Sequence, residues 1–113
     1  MAKKRVAPPP VAGGWDLVHL DKKCENGWHD LCQQAAGSAR AAYDQIIKDP
    51  RHRSNRQHPL HGEFAKKTVG AVEYEHWQYE ATGGGRVWYV VDEASRTVIM
   101  THAGVGHPKA TGG

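Results

Sequence analysis

The sequence predicts an α+β domain, in which an N-terminal strand and two helices pack on an antiparallel sheet of about four strands, in the order β-α-α-β-β-β. Apolar residues recur every three or four positions in the first half, which is typical of helices. In the last third they alternate with polar residues, as in half-buried strands. With 113 residues, 39% of them hydrophobic, the chain has room for one small domain.

We expect this domain to occupy residues 15–111. Residues 1–14, MAKKRVAPPPVAGG, contain basic residues, a proline triplet and a glycine pair. Such a composition buries almost no apolar surface. This segment is therefore predicted to be a disordered, basic, proline-rich tail.

The first elements of the domain are a strand and a helical stretch. The segment WDLVHL, residues 15–20, alternates and predicts the strand. Asn26 is predicted to cap the helical stretch, Gly37-Ser38 to break or kink it, and Asp49-Pro50 to end it. The apolar stripe of this stretch consists of Trp28, Leu31, Cys32, Ala35, Ala39, Ala42, Tyr43, Ile46 and Ile47.

Three further strands are predicted in the last third, at residues 75–82, 86–92 and 97–102. Gly83–Gly85 and residues 93–96 supply the turns between them. A bend at Gly84-Gly85 would pair apolar residues with apolar residues, which favours that register. The predicted pairs are Ala81 with Trp88, Tyr79 with Val90, Val90 with Ile99, Tyr89 with Met100 and Arg86 with Ala103.

Charge and composition narrow the classes of function. The net charge of +3 and the pI of about 9.0 permit an anionic partner, for which nucleic acid or an acidic protein are the natural candidates. The sequence contains no apolar run of membrane-spanning length and no secretory leader, so we expect a soluble, cytoplasmic protein that does not bind membranes. Cys24, His29 and Cys32 do not have the spacing of a closed zinc site, so no metal is predicted and buried cysteine is favoured.

The glycine run TGGGR raises the question of a phosphate-binding loop. Such a loop follows a strand and opens a helix, whereas here a strand follows. Gly83–Gly85 are therefore interpreted as a hairpin turn that uses positive φ, with Arg86 at the mouth of the sheet. His102, His107 and Lys109 follow the last strand and are predicted to lie near Arg86. A solvated arginine and a frayed polar tail are the alternative readings.

Residues 51–67, RHRSNRQHPLHGEFAKK, form a basic run with little periodicity, which is typical of a solvated loop.

The motifs resemble one known family. Gly84, Arg86, Tyr89 and Asp92 form the pattern Gly-x-Arg-x-x-Tyr-x-x-Asp, which is followed by a strand and a Gly-His-Pro-Lys end, and Leu60-x-Gly62 precedes the sheet. Together with the order of elements, these motifs resemble the RelE/ParE superfamily of bacterial type II toxins over about residues 15–111. The resemblance implies the α+β fold described above.

The resemblance also implies an activity and residue roles. A RelE-like toxin would cut mRNA in the ribosomal A site without a metal or another cofactor. A base takes the proton of a 2′-hydroxyl, this oxygen attacks the adjacent phosphate, and an acid protonates the departing 5′-oxygen. Arg86 would stabilise the transition-state phosphate, His107 would transfer a proton, and Lys109 would assist. The residues expected to bind RNA are Arg51, Arg53, Arg56, His61, Lys66, Lys67 and His102.

Two alternatives remain open, because the superfamily also contains gyrase poisons and because the domain could be a non-catalytic binding module. Either toxin reading implies a cognate antitoxin, acidic or amphipathic, that covers the basic face. The nuclease reading adds mRNA and ribosomal RNA as partners. DNA would be contacted only indirectly, through an antitoxin complex.

Overall fold

The computed structural model describes residues 14–106 and has two helices on one face of a mixed five-stranded sheet, with a separate two-stranded hairpin. The general α+β prediction is confirmed. In chain order the elements are β1 Asp16–His19, α1 Lys22–Gln34, α2 Ala36–Lys48, β2 Gln57–Pro59, a 3₁₀ turn Gly62–Phe64, β3 Lys66–Val69, β4 Val72–Glu75, β5 Trp77–Glu80, β6 Arg86–Asp92 and β7 Thr97–Gly104.

The sheet differs from the prediction in two respects. Its order is β1-β7-β6-β5-β2, and β1 runs parallel to β7 instead of antiparallel. Alternation along one strand is the same in both arrangements, so the sequence pattern does not distinguish a parallel from an antiparallel β1. The fifth strand, β2, lies in the basic run that was predicted to be a loop. Gln57 and Pro59 are buried there by pairing with Tyr79 and Trp77 of β5.

The helices begin and end for local reasons. Asp21 caps α1, because its Oδ1 accepts the backbone N–H of Cys24 at 2.8 Å. The prediction of Asn26 as the cap was therefore wrong. The helical stretch breaks at Ala35, two residues before the predicted glycine, where the backbone turns extended with φ −149°. Helix α2 ends before Asp49, as the following proline predicted.

The core lies between the helices and one face of the sheet. The predicted apolar stripe faces this sheet, and only Cys32 and Ala35 of its members are half-buried instead of buried. From the sheet, Val87, Tyr89 and Val91 of β6 project into the same core. Burial of this apolar area is the main stabilising term of the fold.

The register of the β5–β6 hairpin differs from the prediction. Tyr79 pairs with Val87 instead of Val90, a difference of three residues that moves the side chains of one strand to the other face. The connecting loop is longer than a two-residue bend: the amides of Ala81 and Thr82 both donate to the carbonyl of Gly85. Within residues 14–106 the glycines with positive φ are Gly62 and Gly70, so the prediction of positive φ in the Gly83–Gly85 turn was wrong.

Gly85 is needed because a side chain does not fit at this position. A Cβ atom there would lie 2.7 Å from Thr82 Oγ1 and 2.9 Å from Leu31 Cδ1, closer than atoms pack. Thr82 in turn accepts the amide of Gly85 at 2.6 Å and so closes the loop.

The β6–β7 pairing follows the prediction at one end only. Tyr89 pairs with Met100 and Val90 with Ile99, as expected. Beyond them the ladder shifts by one residue at Thr101, so that Arg86 pairs with Gly104 instead of Ala103. Thr101 is the extra residue of a β-bulge in β7, and bulges re-aim the neighbouring side chains.

The β3–β4 hairpin covers part of the sheet face opposite the helices. Val69 and Tyr74 of the hairpin pack against a small apolar cluster of Val18, Val90 and Ile99. The helices thus cover one face of the sheet completely, while the hairpin covers only part of the other.

We expect Gly27→Ala to lower the free energy of unfolding by about 2–4 kcal/mol, measured by urea denaturation. A Cβ atom at Gly27 would overlap the backbone carbonyl of Ala103, where α1 crosses β7. The matched control is Gly37→Ala in α2, where no atom lies within 4 Å. This control should raise the free energy by about 0.5–1 kcal/mol. Equal effects of the two changes would contradict the close packing.

Candidate functional site

A pocket of about 340 Å³ opens on the sheet face opposite the helices, beside the β3–β4 hairpin. Its walls come from three parts of the chain: the 3₁₀ turn with the adjoining start of β3, the residue between β4 and β5, and the central strands β6 and β7. The lining residues are Glu63, Phe64, Lys66, Lys67, His76, Trp88, Thr101 and His102. This is the size at which small-molecule and nucleotide sites begin.

The bulge in β7 explains why two consecutive residues line the pocket. In a regular strand, Thr101 and His102 would point to opposite faces. Because Thr101 is the extra residue, His102 pairs with Trp88 of β6 and contacts its ring, with centroids 5.5 Å apart. Thr101 meanwhile bonds to His76 on the same side of the sheet.

His76 links the 3₁₀ turn to β7 within the pocket. Its Nδ1 lies 3.0 Å from the carbonyl oxygen of Phe64, and its Nε2 lies 2.7 Å from Oγ1 of Thr101. The residue is 4% exposed. Burial lowers the pKa of His76 to about 4; the hydrogen bond to Phe64 offsets part of this effect, and the positive charge of Lys67 adds to it. The ring is therefore neutral at physiological pH.

His102 is the less constrained of the two histidines. It is half-buried, and among residues 14–106 its Nε2 has no hydrogen-bond partner. Burial lowers its pKa, and the charge of Lys23 contributes in the same direction. This nitrogen is itself buried, so a bound ligand reaches it only if the His102 ring turns. A neutral imidazole can accept a proton from such a ligand.

Aromatic rings form the apolar part of the pocket. Trp88 packs against Phe64, with ring centroids 5.2 Å apart, and against His76 at 5.3 Å. The indole N–H of Trp88 donates to Oε1 of Gln78 at 2.8 Å, which fixes the plane of the ring. Trp88 is 6% exposed and Phe64 is half-buried, so Phe64 provides the more accessible ring. Accessible rings are the platforms on which unpaired bases stack in nucleic-acid sites.

Lys66 and Lys67 place positive charge at the pocket rim. Both are exposed. Lys67 stands on the same face of the hairpin as Tyr74, with which it pairs, and its charge acts on His76. Flexible ammonium groups at such a rim suit phosphate binding.

Arg86, the arginine of the sequence motif, lies two residues before Trp88 on β6 but is engaged with its own loop. Its Nη1 donates to the carbonyl oxygens of Thr82, Gly83 and Gly85 at 3.1–3.2 Å. Its Nη2 lies 3.7 Å from a carboxylate oxygen of Glu80, and the residue is 7% exposed. In this structure Arg86 closes the glycine loop.

The residues predicted to bind RNA lie in different parts of the structure. Lys66, Lys67 and His102 line the pocket. Arg51 is paired with Glu93 at 2.6 Å, and the guanidinium of Arg53 lies over the ring of Trp77.

The remaining predicted residues are not brought to the pocket. Arg56 donates to the carbonyl of Glu80 at 2.7 Å, and it lines a second, shallower pocket of about 420 Å³ beside β2. His61 stacks on His58, with centroids 6.5 Å apart. His107 and Lys109 lie outside the described residues.

Sequence reasoning missed Phe64, His76, Trp88 and Thr101 as pocket residues. Phe64 lies in the basic run of residues 51–67, from which only basic residues and His61 were expected to bind RNA, and His76 lies in a predicted strand that was given no functional role. Trp88 was predicted to lie on β6 and to pair with Ala81, without a role in binding, whereas it pairs with Gln78 and His102. Thr101 reaches the pocket only because of the bulge, for which the local sequence carries no signal that we recognise.

A scan against protein-family models, a search of curated proteins and a search of solved structures each found no match. Among residues 14–106, no helix is both long and apolar enough to cross a membrane. Within the same range, no three His, Cys, Asp or Glu side chains group closely enough to hold a metal ion. Cys24 is buried, and its thiol donates to the carbonyl of Met100 at 3.2 Å.

The stability of the protein should fall as the pH drops from about 6.5 to about 4. The pKa of His76 in the folded chain is about 4, below its ordinary 6.5, so in this window the unfolded chain binds the proton and the folded chain does not. The loss should approach about 3 kcal/mol, because each pH unit of the window is worth about 1.4 kcal/mol. Urea unfolding as a function of pH measures it. His76→Gln should remove most of this slope, and an unchanged slope would contradict the assignment.

Arg86→Ala is expected to lower the free energy of unfolding by about 2–4 kcal/mol, because it leaves the carbonyls of the glycine loop without their charged donor. Chemical denaturation measures this loss. The control is Arg40→Ala, which removes an exposed pair with Asp44 and a 6.0 Å contact over the ring of Tyr43, both on α2, and should change stability by less than about 0.5 kcal/mol. If Arg86→Ala were as stable as the parent protein, the loop contacts would not be structural.

Proposed function

We propose that this protein is a RelE-like toxin that acts in the cytoplasm as a metal-free, ribosome-dependent mRNA endonuclease. The observation that carries the proposal is the pocket on the open sheet face. It combines the imidazole of His102, whose buried Nε2 has no partner among residues 14–106, with two rim lysines and a wall of aromatic rings. Such a set of groups can bind a charged phosphate, stack on an unpaired base and accept the proton of a 2′-hydroxyl.

His102 is the proton acceptor in this proposal. Its pKa is lowered by burial, so the neutral form needed for a base predominates at neutral pH. It takes the proton of the 2′-hydroxyl, whose oxygen attacks the adjacent phosphorus. The bond from phosphorus to the 5′-oxygen breaks, and the products are a 2′,3′-cyclic phosphate and a 5′-hydroxyl. Lys66 and Lys67 offset the charge that builds on the phosphate.

His76 has a different role from His102. Both of its ring nitrogens are bonded, to Phe64 and to Thr101, and its pKa of about 4 makes it a weak base. It holds the pocket together and does not exchange protons with RNA. The acid that protonates the 5′-oxygen is predicted to be His107, with Lys109 as the next candidate, and the phosphate role of Arg86 also stays a prediction from the motif.

The architecture supports the proposal in a further way. Two helices cover one face of the sheet and leave the other face partly open, so a strand of RNA can reach the central strands. A cognate antitoxin of acidic or amphipathic character would neutralise the toxin by covering the same basic rim.

A non-catalytic RNA-binding module is the second candidate. The observation in its favour is that Arg86, the only arginine of the motif, is occupied with the carbonyls of its own loop. An RNA-binding module needs the rings and lysines of the pocket but no catalytic arginine.

Translation reactions with a defined mRNA test the proposal. The wild-type protein should cut the message at codon-related positions when ribosomes translate it. His102→Gln should reduce the cleavage rate by at least about 100-fold, because it removes the proton acceptor. The control is His52→Gln, an exposed histidine that does not line this pocket.

A second variant tests the electrostatic part. Lys67→Ala should weaken RNA binding and reduce the slope of log affinity against log salt by about one unit, since one phosphate contact is lost. Lys48→Ala, at the exposed end of α2, is the matched control. Intact mRNA with failed DNA supercoiling would favour a gyrase poison, and RNA binding without cleavage would favour the non-catalytic module.

A further inference from the structure

The tautomer of His76 follows from its partners. The carbonyl oxygen of Phe64 only accepts hydrogen bonds, so Nδ1 of His76 must carry the proton that it donates over 3.0 Å. The neutral ring then has an unprotonated Nε2, which can only accept. The partner of Nε2 is the hydroxyl of Thr101 at 2.7 Å, so this hydroxyl must be the donor.

This chain of bonds determines what Thr101 can offer to a ligand. A free threonine hydroxyl can donate or accept, and it therefore recognises both kinds of group. The proton of Thr101 is committed to His76, so only the oxygen lone pairs remain for a molecule in the pocket. Thr101 lines that pocket because of the β-bulge. It consequently presents an acceptor of fixed orientation.

The surroundings indicate which part of a nucleotide meets this acceptor. Phe64 is half-buried and offers ring surface for the flat face of a base, and the buried ring of Trp88 packs against it. Lys66 and Lys67 are exposed on flexible stems and suit the phosphate. When a base stacks on these aromatic rings, its edge is then the part that comes closest to Thr101 on β7.

We propose that the pocket selects an unpaired base whose amino group stands at C6 of a purine or C4 of a pyrimidine, adenine or cytosine, over uracil, with Thr101 as the specificity-determining residue and His76 as its positioning residue. This inference rests on the proposed function in so far as the ligand is RNA. The amino groups of adenine and cytosine are donors, whereas uracil presents a carbonyl oxygen at the corresponding place. An acceptor that cannot become a donor leaves that carbonyl unpaired.

Binding of oligonucleotides that cannot be cut tests the inference separately from cleavage. The probes are short 2′-fluoro homopolymers of A, C and U, which lack the attacking hydroxyl. The wild-type protein should bind the A and C probes about fivefold more tightly than the U probe, the worth of one neutral hydrogen bond. Thr101→Ser should keep this ratio, and Thr101→Val should bring it to about one. The control Thr68→Val, an exposed threonine of β3, should keep it.

Glu63 is the competing acceptor, because its carboxylate also lines the pocket. If Glu63→Gln abolished the ratio while Thr101→Val kept it, the selecting residue would be Glu63 and the inference would be wrong. Equal binding of the three probes by the wild-type protein would overturn it as well.

A measurement without mutants guards against variants that do not fold. Nitrogen-15 NMR of the histidine rings reports which nitrogen carries the proton. The inference requires the Nδ1–H form of His76 at neutral pH, and the Nε2–H form would overturn it. Cleavage without base preference contradicts this inference alone, whereas preference without cleavage contradicts only the proposed nuclease.

Discussion

The β-bulge at Thr101 is the constraint on which the candidate site depends. It lies between the two central strands and adds one residue to β7, so the pairs before and after it differ in register. Without it, Thr101 and His102 would face opposite sides of the sheet. With it, both line one pocket, while Met100 and Ala103 on either side still project into the core under the helices. The bulge thus keeps Met100 and Ala103 in the core and places Thr101 and His102 in the pocket.

The two pocket histidines illustrate how burial and bonding divide roles between identical side chains. Burial lowers the pKa of both. His76 has a partner at each nitrogen and so acts as a link between the 3₁₀ turn and β7. His102 keeps a nitrogen without a partner among the described residues, and this makes it the candidate for proton transfer. Residue type alone would rank the two as equal.

Arg86 shows that a sequence motif does not by itself identify a functional site. The pattern around it resembles that of a toxin family, and its place on β6 beside Trp88 agrees with a role near the pocket. Its guanidinium nevertheless donates to three carbonyls of the glycine loop. If a variant that lacks Arg86 loses activity, the cause is either a lost phosphate contact or a destabilised loop. The free energy of unfolding of the variant distinguishes the two causes, because only the second lowers it.

The sequence by itself determined the fold class, the apolar stripe of the two helices, the positions of the central strands and the pairing of Tyr89 with Met100. Periodicity and turn residues are local signals, and they act within a few residues. The parallel direction of β1, the pairing of β2, the three-residue shift of the β5–β6 hairpin and the bulge were decided only by tertiary structure. Each depends on contacts between distant segments, whose packing against α1 and the β3–β4 hairpin overrides local preference. The pocket arises from these long-range contacts, so only the lysines and His102 could be named beforehand.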